Sequence, residues 1–63
     1  MNVVYRGIIV SPVDRSGERI RIETTNMNDA QKVGLPFSEM RNGKAVFADW
    51  VPEADLVPLD SPE

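Results

Sequence analysis

The side chains able to do chemistry in this chain are a cluster of carboxylates, a set of arginines and one aromatic hairpin. Asp49, Glu53, Asp55 and Asp60 lie close together in sequence, and carboxylates at short spacing are the raw material for a cation site or for paired acid–base work. Here they lack the glycine and the regular ligand spacing of a calcium loop, so they read as an acidic surface and no metal is expected. Acid–base work needs a cleft that raises one carboxyl pKa and excludes water, and 63 residues leave little room for one. Histidine and cysteine are both absent, which removes the commonest general base near neutral pH, thiol nucleophiles, thiolate metal sites and disulfides. The four glycines (Gly7, Gly17, Gly34, Gly43) are spread along the chain as turn or bulge positions, not gathered into a phosphate-binding loop. The chain is therefore expected not to be an enzyme, and to use no cofactor and no small-molecule substrate.

The basic residues suggest a second chemistry. All seven (Arg6, Arg15, Arg19, Arg21, Lys32, Arg41, Lys44) fall in residues 1–48 with five acids, while residues 49–63 hold five acids and no base. The body is mildly basic, the tail acidic, and the net charge −3. Arg6, Arg19 and Arg21 gather on one outer face if Gly7 is a bulge; such a face can track a phosphate backbone, with Tyr5 to stack a base. No ladder of aromatics accompanies them, and Glu18 and Glu23 offset their charge, so the same residues read first as the solvated side of an amphipathic strand. Nucleic-acid contact is the alternative function, not the leading one.

The third candidate is the stretch "MRNGKAVFADW", residues 40–50, with the only Trp and one of two Phe residues. A two-residue type I′ turn at Asn42-Gly43 opposes Arg41 to Lys44, Met40 to Ala45, Glu39 to Val46, Ser38 to Phe47, Phe37 to Ala48 and Leu35 to Trp50. That register places Leu35, Phe37, Val46, Ala48 and Trp50 on one face, the better core, and Pro36, Ser38, Met40, Ala45, Phe47 and Asp49 on the other. Met40 and Phe47, with Ala45 between them and Asp49 at the rim, then form an apolar patch suited to binding a protein, since both bury much area at modest entropic cost. The competing reading is that a core this small consumes Phe47.

The elements that must position these residues are short. "VVYRGIIV" and "ERIRIETT" are strands, the latter alternating Ile20, Ile22 and Thr24 against Arg19, Arg21 and Glu23. Asp14-Arg15-Ser16-Gly17 reads as the turn of a bulged hairpin, pairing Val10 with Ile22 and Pro12 with Ile20 and leaving Ile9, Ser11 and Val13 outside. Strict alternation would bury Arg6; a bulge at Gly7 shifts the phase so that Val3 and Tyr5 point in. "NMNDAQKVG" offers Asn26 or Asn28 as N-cap, Asp29 in the first turn and Gly34 as stop, enough for a short helix. "LPFSEM" is a strand whose Pro36 marks its start or an edge. Pro52 and Pro58 confine the end to a short turn, Pro52 to Asp55, and a brief edge strand, Leu56 and Val57.

About five short strands and one helical turn predict a mostly β domain over residues 1–59, either a small bent antiparallel sheet or a barrel, with residues 60–63 as a flexible acidic tail. The closing pattern, an aromatic strand, a prolyl turn with acids, then "DLVPL", resembles the end of SH3-like small barrels, which implies a fold and nothing more. A domain of this size buries only about 60% of its unfolded surface, so its stability is marginal. The N-terminal apolar stretch is too short, and without a basic leader, to be a signal peptide, and no run is long enough to span a membrane, so a cytoplasmic, non-membrane protein is expected. The leading functional expectation is a non-enzymatic protein-binding module: a small regulator, inhibitor or accessory factor acting on a larger protein. A free-standing domain with its own Met1 suits such a factor, including one carried by a phage or mobile element. A homo-oligomeric structural subunit is the third reading, because self-association would relieve the shortage of core.

Overall fold

The structure is a computed structural model that describes residues 2–59. The acidic tail expected over residues 60–63 lies outside the described residues. Among the described residues six strands form one antiparallel sheet in the order β4-β5-β3-β2-β1-β6, and it is open rather than closed into a barrel. The strands are β1 (Val3–Tyr5), β2 (Ile8–Ser16), β3 (Arg19–Thr24), β4 (Phe37–Arg41), β5 (Lys44–Pro52) and β6 (Leu56–Pro58). A helix, α1 (Met27–Val33), connects β3 to β4, and one 3-10 turn (Glu53–Asp55) connects β5 to β6. No helix among the described residues is long and apolar enough to cross a membrane.

The bend lies in β2. Its first residues, Ile8 to Val10, pair with β1, and from Ser11 onward it pairs with β3. The two parts of the sheet thereby turn their inner faces towards one core, built on Tyr5, Ile8, Val10, Ile20, Ile22 and Val51 and capped by Ala30 and Leu35. Ile20 pairs with Val51 across β3 and β5, so the face of β5 that carries Val51 also carries Phe47 and looks into this core.

The first hairpin corrects the expected Gly7 bulge. Arg6 and Gly7 are a two-residue turn with φ of 49° and 90°, the type I′ signature, and Tyr5 pairs directly with Ile8. The outcome is the expected one, with Tyr5 buried and Arg6 exposed, but a reversal of the chain achieves it rather than an inserted residue. The second hairpin turns later than expected, at Gly17 (φ 62°) and Glu18, with β2 running on through Asp14, Arg15 and Ser16. Pro12, not Val10, therefore opposes Ile22, and the surplus residue, Val13, is a bulge between Pro12 and Asp14. The shift is two residues at Ile22 and, past the bulge, three at Ile20, which opposes Arg15 in place of the expected Pro12; Val10, Ile20 and Ile22 are all buried.

The helix forms where its caps dictate. The Asn26 side chain accepts from the Asp29 N–H at 3.1 Å, and Gly34, with φ 81°, ends it. Both Gly34 and Leu35 donate their N–H to the Ala30 carbonyl, a Schellman-like closure that drops Leu35 into the core beside Ala30.

Candidate functional site

The Asn42-Gly43 turn is type I′, with φ of 53° and 79°, and Arg41, Met40 and Glu39 oppose Lys44, Ala45 and Val46 as expected. Beyond that the register departs from expectation: Phe37 opposes Phe47, and Ser38 is the extra residue of a bulge. The bulge moves Phe37 to the other side. The expected register sets Phe37 against Ala48, on the core face away from Phe47; instead the two rings share a side and meet edge to face, centroids 6.1 Å apart. Phe47 is half-buried against the core, while Phe37 and Met40 are 57% and 60% exposed. Trp50, also expected in the core, is half-buried on the opposite side of β5, paired with Arg21.

The Met40, Ala45 and Phe47 group is thus brought together, gains Phe37, and lies on the core-facing side of the sheet, where it runs outward from the core to the edge. Asp49 shares that side of β5 by alternation, and its Oδ1 accepts from the Trp50 N–H at 2.8 Å. Both competing readings of Phe47 describe part of it: one side of the ring packs inward, and the other supports an exposed aromatic.

The outer side of β4, β5 and β3 is polar and closed. Arg41 reaches from β4 across β5 to Glu23 on β3 at 2.7 Å and also pairs with Glu39 on its own strand. Arg21 reaches the other way, from β3 to the Ser38 hydroxyl on β4 at 3.1 Å. These two crossing side chains explain why Val46 and Ala48 are buried, at 2% and 4%, although they face away from the main core. The flanking carboxylates hold the Arg41 guanidinium above its ordinary pKa, Glu23 contributing most.

The alternative arginine group is not brought together. Arg19 and Arg21 share one side of β3, but Arg6 sits in the β1–β2 turn beyond Ile8, whereas Arg19 pairs with Ser16 at the far end of β2. Nine residues of strand at about 3.3 Å each separate those ends. Arg6 lies over the Tyr5 ring, 5.3 Å from its centroid, and Tyr5 itself is buried, so its ring is covered on both sides.

The acids divide. Glu53 forms a two-pronged pair with Arg15, at 3.1 and 2.7 Å, which draws its carboxyl pKa down and raises that of Arg15. Its backbone N–H donates to the Glu18 carbonyl at 2.8 Å, tying the 3-10 turn to the β2–β3 turn. Asp55 is exposed, Asp60 lies outside the described residues, and among the described residues no three acids converge as metal ligands would. A cleft of about 240 Å³ is lined by Val3, Pro12, Ile20, Leu56 and Pro58, and the only charged groups lining it, Arg15 and Glu53, are paired with each other.

Sequence reasoning missed Phe37 as a surface residue. The signal was Pro36 beside a short strand: a bulge is commonest at a sheet edge, and one extra residue reverses the side of everything before it. No family model, curated protein or solved structure matches the chain.

Proposed function

We propose that this protein is a non-enzymatic protein-binding module, a small regulator or accessory factor of a larger protein, and that its contact surface is the side of β4 and β5 carrying Phe37, Met40, Ala45 and Phe47, rimmed by Asp49. The observation that supports it most is the exposure of Phe37 and Met40, 57% and 60%, side by side on an edge strand. Large apolar side chains are tolerated singly on a surface, but an aromatic stacked on a second aromatic beside a flexible Met is a contiguous patch of the kind that marks an interaction site. Phe47 anchors Phe37 in one orientation, so a partner meets a preorganised ring.

Met40→Ala and Phe37→Ala should leave the chain folded and reduce capture of its host partner by a tagged chain tenfold or more, the cost of a typical central contact being about 1–3 kcal/mol. Ile9→Ala and Val13→Ala, which trim exposed apolar residues elsewhere, should not. Equal loss from all four variants, or from none, overturns the assignment.

A further inference from the structure

The free edge of β4 has a symmetry that the patch alone does not use. In a two-residue type I′ hairpin the residues flanking the turn, here Arg41 and Lys44, are a hydrogen-bonded pair, and bonded and non-bonded pairs alternate along the ladder. The N–H and C=O of Arg41 and Glu39 therefore point to β5, and those of Met40 point outward, away from the sheet. All five residues of β4 are exposed, and β4 is the last strand of the sheet.

Met40 is also flanked symmetrically by opposite charges, Glu39 before it and Arg41 after it. We propose that β4 is a self-pairing edge: two copies of the chain join antiparallel about a two-fold axis at Met40. In that register Met40 opposes Met40 of the second copy, each donating its N–H to the other's carbonyl. Glu39 opposes the second copy's Arg41 and the reverse, giving two cross-strand ion pairs on the outer side. The two Phe37–Phe47 pairs then lie on the same side of a continuous sheet and make one apolar surface.

Charges and a bulge on an edge strand also serve to discourage pairing. Here the charges are self-complementary only in this one register, and the Ser38 bulge ends the pairable stretch, so they select a single closed partner. At the other edge β6 has three residues ending in Pro58, which leaves little for further growth. The product is a dimer and not a filament.

This inference rests on the proposed reading only in taking Met40 as an interaction residue. A chain that stays monomeric yet loses its host partner on Met40→Ala ends the pairing and leaves that reading standing.

Equilibrium sedimentation of the full chain, from micromolar to millimolar concentration, tests it. The apparent mass should rise from 7.0 kDa to twice that value and level off. Met40→Pro should stay monomeric with an unchanged circular dichroism spectrum, because the amide it removes is not in the β4–β5 ladder. E39R and R41E should each weaken self-association at least tenfold by opposing like charges, and an equimolar mixture of the two should restore it. Should R41E fail to fold after losing Glu23, M40P and E39R decide the matter alone. A wild-type chain monomeric at millimolar concentration, a mass that climbs beyond the dimer, or unimpaired dimers of M40P would overturn the proposal.

Discussion

Phe47 packs against the core on one side and meets the Phe37 ring edge to face on the other. Its aromatic bulk in an alternating strand fits either core or contact, and it is only half-buried. Phe47→Ala should therefore cost folding stability, about 1–3 kcal/mol, less than a fully buried aromatic would. Phe37→Ala should cost only the edge-to-face contact, about 1 kcal/mol, and Met40→Ala about 0.5 kcal/mol or less; thermal melts of the three variants rank them. The Arg15–Glu53 pair was not legible at all, because the two residues are 38 apart and meet only through the fold. Their pairing carries a pH signature. The Glu53 pKa is lowered in the folded state, so the pair's contribution is complete above the ordinary carboxylate value of 4.5 and disappears as pH falls through the lowered one. The melting-temperature difference between wild type and Glu53→Gln should be flat from pH 7 to about 5 and vanish in more acid solution.

At the scale of elements, what local chemistry determines was readable and what counting determines was not. The helix has the caps its sequence advertises, Asn26 and Gly34, and the Asn42-Gly43 turn is where its dipeptide puts it. The prolyl end likewise yields the short turn and brief edge strand expected of it. Three differences of register arise instead from single residues: a reversal at Arg6-Gly7 in place of a bulge, and true bulges at Val13 and Ser38, neither of which carries a glycine to mark it. A bulge reverses a whole face, so Phe37 lies on the side of β4 that strict alternation denies it, whereas Trp50 keeps its expected side of β5 and is out of the main core because that core forms on the other. The glycine at the helix end offers a direct check. Nothing lies within 4 Å of a Cβ built on Gly34, so Gly34→Ala tests conformation alone at φ 81°. It should destabilise the chain by about 1 kcal/mol and lower the melting temperature by roughly 4–8 °C.

On the scale of the whole molecule, the composition pointed to a small β domain with a scant core, and the open six-stranded sheet has one: its largest fully buried side chains are Ile22, Val10 and Val46. Ile22→Ala should cost about 2–5 kcal/mol, enough to unfold much of a marginal domain at 37 °C, seen as loss of its cooperative melt. The choice between open sheet and barrel was not legible, because it depends on where β2 leaves β1 for β3, and that depends on bulges. A sheet left open has an edge, and we propose that β4, with Phe37 and Met40, is the surface a partner covers. The most direct measurement is a photo-crosslinking scan in the native host, with the photoreactive side chain placed in turn at positions 37, 40, 9 and 13. Adducts from positions 37 and 40, absent from 9 and 13, are the predicted result; adducts from 9 and 13 alone would contradict it.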